Sequence, residues 1–251
     1  MHYLALATDY DGTLAEGGKV QPKVLAALRR LADTGRKLIL VTGRELDELM
    51  LTFPAFEIFD AIVAENGALL YSPRPPCERA LAAPPPPRFV EMLRERGVAP
   101  ISYGRIIVAT WQPHEQTVLA VIRELGLELE VIFNKGAVMV LPSGVNKASG
   151  LAVALAELDI DPDLVVGVGD GENDHSLLAA CGLGVAVANA VPALRERAEI
   201  VTQGARGDGI LEICERLIAS DTVELASAIA VEPAHRAETK HQGHRSARAP
   251  R

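Results

Sequence analysis

Five short apolar runs recur along the chain: YLALA (3–7), KLILV (37–41), AIVA (61–64), LVVGVG (164–169) and GVAVA (184–188). Each reads as a parallel strand covered on both faces, where no polar alternation is needed. Amphipathic segments separate many of them. In PKVLAALRRLAD (22–33), Val24, Leu25, Leu28 and Leu31 fall at helical spacing, Pro22 suits the first turn and Gly35 suits the stop. Residues 147–158 and 173–180 also read as helices. Strand, helix and strand in alternation imply an α/β fold with an open sheet.

The middle of the chain breaks this rhythm. Residues 73–87 carry seven prolines, including PPPP at 84–87. Proline continues neither a sheet nor a helix, so this stretch marks a boundary, and PSGVN (142–146) reads as the matching return. Between them LRERGVAPISYGRIIVAT (93–110) and IRELGLELEVIFNKGAVMVLP (122–142) repeat weakly as helix, glycine, strand, turn, strand, with Gly97 and Gly126 at the same place. This predicts a small αββαββ domain over 81–145, inserted into a discontinuous core of 1–80 and 146–219. Residues 220–251 hold five Lys/Arg against four acids, a net of +1, and His235, His241 and His244; the segment reads as a disordered tail.

Within the chain's net charge of −8, the remaining residues therefore carry −9. An acidic chain with 4% aromatic residues lacks the basic face of a general nucleic-acid binder. Cys77, Cys181 and Cys214 show neither metal spacing nor a framework of pairs, which suits a reduced, cytoplasmic setting. No signal peptide or membrane span is expected, because no basic start precedes a long apolar run.

The polar residues that carry chemistry lie where strands end. YLALA runs into TDYDGTL (8–14), which sets Asp9 and Asp11 two positions apart. Were the chain still extended, both carboxylates would share one side. At ~6 Å and an effective dielectric of ~20, they would repel by about 3 kcal/mol, so a cation or a shared proton is required. Thr42 follows KLILV in VTGR; Asp170 follows LVVGVG in GDGENDHS, with Asn173 and Asp174 opening the next helix; Lys147 opens a helix in GVNKASGL. Open α/β sheets bind ligands at this edge. A hard divalent cation such as Mg²⁺ resolves the crowding with carboxylate oxygens, water and a substrate phosphate. A calcium loop starting at Asp9 would need Gly and Glu where Leu14 and Val20 stand, and a dinucleotide loop would need Gly at Glu172.

DYDGTL, VTGR, NK and GDGEND resemble, in order and spacing, the four motifs of the haloacid dehalogenase (HAD) superfamily of phosphohydrolases. The likeness covers about residues 1–218. The insert after the second motif, with AENGA at 64–68, resembles the Cof-like branch, subfamily IIB, whose members carry a type 2 cap on a Rossmann-like core. The resemblance implies roles. Asp9 would be the nucleophile and Asp11 the general acid and base. Asp9, Asp11 through its carbonyl, and Asp170 would hold Mg²⁺, and Asp174 would support the metal directly or through water. Thr42, Lys147 and Asn66 would bind the phosphoryl group, with Arg44 and Asn173 on the substrate side. His175, Arg105, His114 and Lys135 are weaker candidates for facing substrate.

The implied activity is a Mg²⁺-dependent phosphatase acting on a small phosphorylated metabolite, not on nucleic acid or a membrane. Phosphoglycolate is the first candidate, because archaeal-type phosphoglycolate phosphatases resemble this chain in cap size and motif layout. Sugar phosphates follow, from the sucrose-phosphate phosphatase-like members of the branch. The alternatives are a phosphotransferase resembling phosphomannomutases, a signalling receiver module, and a non-catalytic phosphate-binding protein. The receiver fits poorly, since such modules lack the second Asp and the cap.

Overall fold

The computed structural model describes residues 2–219; the tail reading therefore lies outside the described residues. The chain opens with strand β1 (Ala5–Thr8), helix α1 (Pro22–Asp33), β2 (Lys37–Val41), α2 (Leu46–Thr52) and β3 (Ala61–Ala64). The burial of these strands explains their composition. Leu6, Leu38, Leu40 and Ile62 face one side of the sheet, with Val24, Leu28 and Leu31 of α1 in the same cluster. Ala5, Ala7, Ile39, Val41 and Val63 face the other side. Both faces are covered, so both positions of each alternation are apolar.

The sheet then continues where a boundary was expected. Strands β4 (Leu69–Pro73) and β5 (Pro76–Ala80) form an antiparallel hairpin on its edge. This corrects the reading of 73–87 as a segment that no sheet can contain. Pro73 and Pro76 pair at the end of the hairpin, and β5 is an exposed edge strand where a missing N–H costs little. Prolines 84–87 do interrupt the chain, and Pro87 starts the next helix in the N1 position proline tolerates.

There follow α3 (Pro87–Glu95), β6 (Ser102–Tyr103), β7 (Val108–Trp111), α4 (Glu115–Leu125), β8 (Leu129–Asn134) and β9 (Ala137–Pro142), which is the expected αββαββ order. These four strands form their own antiparallel sheet, ordered β6-β7-β9-β8. Phe89, Met92 and Leu93 of α3 and Val118, Val121 and Ile122 of α4 pack on Val108, Val138 and Val140. The alternate residues Met139 and Leu141 belong to the cluster of the large sheet instead. The weak repeat is thus a structural one: Gly97 and Gly126 both take positive φ, +75° and +61°, to stop α3 and α4.

The chain returns through α5 (Lys147–Leu158), β10 (Val165–Gly169), α6 (His175–Ala179), β11 (Leu183–Ala186), α7 (Pro192–Arg195), β12 (Ile200–Val201) and α8 (Gly207–Ala219). The large sheet has the order β12-β11-β10-β1-β2-β3-β4-β5, with β12 through β3 parallel. From β1 the chain first winds outward through β2 and β3, then returns on the other side of β1 at β10. That reversal opens a crevice at the carboxyl ends of β1 and β10, the usual site position in such sheets.

Candidate active site

Asp9 leaves the end of β1, its backbone N–H still bonded to the Val168 carbonyl at 2.9 Å. Its side chain is buried and accepts a 2.5 Å hydrogen bond from Lys147 Nζ. Lys147 is the first residue of α5, and the Asn146 cap fixes its direction. The Asn146 side chain accepts from the backbone of Ala148 and Ser149, while Ser149 Oγ accepts from the Asn146 N–H. The same ammonium donates to Asp174 Oδ1 at 2.5 Å. The other oxygen of Asp174 accepts from the backbone N–H groups of Asp170 and Gly171, at 2.9 and 2.8 Å. Lys147 thereby ties the end of β1 to the turn after β10.

Asp170 completes the cluster. One oxygen accepts from Thr13 Oγ1 at 3.2 Å; the other accepts from Asn189 Nδ2 at 3.2 Å and Lys135 Nζ at 2.5 Å. Asp9, Asp170 and Asp174 each place one oxygen within 4.8 Å of the others. Burial pushes the Asp9 carboxyl up from the usual carboxylate range, Lys147 pulls it back, and Asp174 and Asp170 add to the rise. Burial works against the Lys147 ammonium, but Asp174 and Asp9 outweigh it, and its pKa is raised. Burial also raises Asp170, against the pull of Lys135.

The donors fit a hard divalent cation: they are oxygens, anionic and converging. The corner already draws positive charge, since Lys135 Nζ contacts both Asp170 and the carbonyl of Asp11, the latter at 3.3 Å. Gly12 keeps that corner clear. It takes φ +88°, and a Cβ there would collide with Asp170 Oδ2 and Lys135 Nζ.

Asp11 departs from the expectation that its carboxylate shares a side with Asp9. β1 ends at Thr8, and the chain turns before Asp11. Its half-exposed carboxylate accepts from Arg44 Nε and Nη2 at 2.6 and 2.7 Å. Its carbonyl faces the metal corner. Arg44 also donates to Glu48 at 2.8 Å and lies over the Tyr10 ring at 5.2 Å. Its guanidinium holds Asp11 at the mouth of the site.

Thr42 is buried at the end of β2, its Oγ1 accepting from the Arg44 N–H at 3.1 Å. Asn66 lies in a turn where Glu65 and Asn66 take φ +51° and +55°. Its Oδ1 accepts from Asn173 Nδ2 at 2.8 Å, leaving Asn66 Nδ2 and Asn173 Oδ1 buried without partners. Two other candidates are committed to structure. His114 Nε2 bonds the Ala99 carbonyl, and Arg105 forms ion pairs with Asp47 and Glu78. His175, at the start of α6, has a buried, unpartnered Nδ1.

A cleft of about 360 Å³ opens over this cluster, lined by Asp9, Asp11, Arg44 and Glu48 and, from the smaller sheet, Trp111, Lys135 and Met139. Three contributors were missed from sequence. Thr13 follows directly in the DYDGTL motif. Asn189 lies just past GVAVA, so the strand-end rule that found Asp170 would have found it too. Glu65 is fully buried in the AENGA segment, and its carboxylate accepts from the backbone N–H groups of Arg105, Ile106 and Ile107 at 2.7, 2.7 and 3.0 Å. It clamps the inserted unit onto the core.

Comparison with known proteins agrees with this geometry. The haloacid dehalogenase-like hydrolase family profile matches residues 6–103 and 123–213. A phosphoglycolate phosphatase of Methanothermobacter thermautotrophicus is 32% identical over 227 residues, covering 85% of this chain and 98% of the relative. Phosphoglycolate phosphatase 2 of Saccharolobus solfataricus is 31% identical over 227 residues, covering 87% and 94%. Among solved structures, a haloacid dehalogenase-like hydrolase from B. subtilis has a TM-score of 0.73 at 17% identity, covering 85% of this chain and 99% of that one. A sugar phosphatase of HAD subclass IIB has a TM-score of 0.71 at 20% identity, covering 84% and 97%. At such identities the likeness to solved structures shows the fold. No helix among the described residues is long and apolar enough to cross a membrane.

Proposed function

The chain belongs to the haloacid dehalogenase-like hydrolase family, and from that premise we propose that it is a Mg²⁺-dependent phosphatase of small phosphate monoesters, with phosphoglycolate as its first candidate substrate. The observation that carries the reading is the buried Asp9 carboxylate, held by Lys147 beside the oxygens of Asp170 and Asp174 and open to the cleft.

In this reading an Asp9 oxygen attacks phosphorus, and the new O–P bond forms as the ester P–O bond breaks. Asp11 gives its proton to the leaving oxygen. It then takes a proton from the water that attacks phosphorus and releases Asp9. Both Asp11 oxygens accept from Arg44 here, so one of these bonds opens when Asp11 carries the proton for the leaving oxygen. Lys147 offsets the charge around Asp9, and Thr42 and the unpaired Asn66 amide supply donors for phosphoryl oxygens. Asp9, the Asp11 carbonyl, Asp170 and Asp174 would hold Mg²⁺, which when bound would supply positive charge to the phosphoryl oxygens.

Residues 81–145 act as a cap, which excludes water during transfer and limits substrate size. The small cleft supports a metabolite over a polymer. The phosphoglycolate phosphatase relatives support phosphoglycolate, and the subclass IIB sugar phosphatase supports sugar phosphates as the second class to test. Three free cysteines support a cytoplasmic setting.

The test is kcat/KM across phosphoglycolate, hexose phosphates, nucleotides and a phosphopeptide, with Mg²⁺ and with EDTA. The reading expects phosphoglycolate or a hexose phosphate to lead, and EDTA to abolish turnover. A phosphopeptide preferred by tenfold, or full activity in EDTA, overturns it.

A further inference from the structure

We propose that Lys135 determines specificity by binding a second anionic group of the substrate, a carboxylate, and that it reaches this role by leaving Asp170 when a divalent ion binds there. The proposal rests on the phosphatase reading above and assigns the part of the substrate that the phosphoryl machinery does not touch.

The backbone supplies the first observation. Lys135 and Gly136 are the two residues between β8 and β9, with Asn134 and Ala137 paired at the base. Both take positive φ, +50° and +87°. The first position of such a turn normally favours Asn, Asp or Gly, so a lysine there is held in an unfavourable conformation. Strain of this kind collects at ligand clamps. The turn aims the lysine from the smaller sheet across the cleft to the core.

Charge supplies the second observation. Among the described residues lining the cleft, Arg44 and Lys135 are the cationic ones, while Asp9, Asp11, Glu45 and Glu48 are acidic. Arg44 is committed to Asp11 and Glu48, and Lys147 to Asp9 and Asp174. Lys135 differs, since its 43% exposed side chain pairs with Asp170, the carboxylate that a divalent ion also needs. A divalent ion at Asp170 would compete with the ammonium for that carboxylate, because like charges repel in a partly desolvated site. Displaced from Asp170, the Lys135 ammonium would stand at the wall of the cleft. A carboxylate a few bonds from the phosphoryl group then takes the place of Asp170, and a neutral substituent does not.

Two measurements test this, using Lys135→Gln and the charge-preserving Lys135→Arg in the full chain. The first is calorimetric titration with Mg²⁺ alone. Lys135→Gln is expected to bind Mg²⁺ at least ~3-fold more tightly, because no ammonium competes for Asp170; unchanged or weaker binding overturns the exchange of partners. The second compares phosphoglycolate with 2-hydroxyethyl phosphate, in which a neutral CH₂OH replaces the carboxylate. Lys135→Gln should lose ~10–100-fold in kcat/KM for phosphoglycolate, mainly through KM, as expected for one charge-assisted hydrogen bond. It should change less than ~3-fold for 2-hydroxyethyl phosphate, and Lys135→Arg should recover part of the selectivity. Equal losses on both substrates, or no loss on phosphoglycolate, overturn the assignment. A wild-type enzyme that cleaves p-nitrophenyl phosphate without preferring phosphoglycolate to 2-hydroxyethyl phosphate overturns this inference and spares the phosphatase reading. No turnover of any phosphate ester with Mg²⁺ overturns that reading itself.

Discussion

Replacing Glu65 with Gln tests how the inserted unit is held over the site. In the wild type one carboxylate oxygen accepts from the Arg105 N–H, and the other accepts from the N–H groups of Ile106 and Ile107. The side chain is fully buried, and a Cβ on Gly104 would collide with it, so the backbone of the inserted unit packs directly against the carboxylate. Glutamine keeps one acceptor oxygen. In its better orientation it retains two bonds and turns an NH₂ toward the Arg105 N–H. Hydrogen bonds to a charged acceptor contribute about 1.5–3 kcal/mol and neutral ones about 0.5–1.5. Two weakened bonds, about 1.25 kcal/mol each, and one lost bond, about 2.25 kcal/mol, together cost about 5 kcal/mol. Tenfold corresponds to ~1.4 kcal/mol, so opening of this contact should become ~10³-fold more frequent. Native-state hydrogen exchange at the amides of 105–107 reads that change directly. Glu65→Ala, which leaves all three N–H groups unpaired, should exceed it. Arg105→Ala should fall short, because its ion pairs to Asp47 and Glu78 are largely solvent-exposed. An increase below ~3-fold for Glu65→Gln would refute the clamp.

Lys147→Met removes the cation shared by Asp9 and Asp174. It should destabilise the metal-free protein by about 3–5 kcal/mol in denaturant titrations, since two buried carboxylates lose their partner; a loss under ~1 kcal/mol would show that the ion pairs are not structural. Asp11→Asn should slow turnover ~10²–10⁴-fold with alkyl phosphates and less with p-nitrophenyl phosphate, whose leaving oxygen needs no proton. Equal losses, with chemistry limiting both, would argue against the acid role. Burial pushes the thiols of Cys181 and Cys214 up to about 12, with Glu199 and Glu215 adding to it. At pH 8 a disulfide reagent should therefore label the exposed Cys77 quickly, the half-buried Cys181 much more slowly and the buried Cys214 only on unfolding, because the thiolate is the reactive form. Equally rapid labelling of all three in the native protein would contradict this order.

Much of the site was legible because open α/β sheets place it at strand ends. Asp9, Thr42 and Asp170 each follow an apolar run, and Lys147 opens a helix that the Asn146 cap defines. The direction of the Asp11 side chain was not legible, because alternation holds only while the chain stays extended, and β1 ends at Thr8. The β4–β5 hairpin was hidden by prolines that sit at its turn and on its edge strand, where a sheet tolerates them. Glu65 was obscure for a different reason. Its partners belong to a distant segment, and no local pattern in ENGA states which backbone will come to rest against it. Lys135 was named as a candidate for facing substrate, but its pairing with Asp170 was not legible, because the two adjoin strands of separate sheets. The αββαββ repeat, by contrast, was visible because its two glycines stop their helices in the same way.

The account centres on Asp9 as the group that carries the phosphoryl during turnover. The direct measurement is a single-turnover reaction with Mg²⁺ and p-nitrophenyl phosphate, quenched in acid and treated with tritiated borohydride, which reduces an acyl phosphate to an alcohol. Peptide mass spectrometry should then find homoserine at position 9, in amounts that rise and fall with the reaction. Release of phosphate in the same turnover with Asp9 unmodified, or with the label on another residue, would contradict the account.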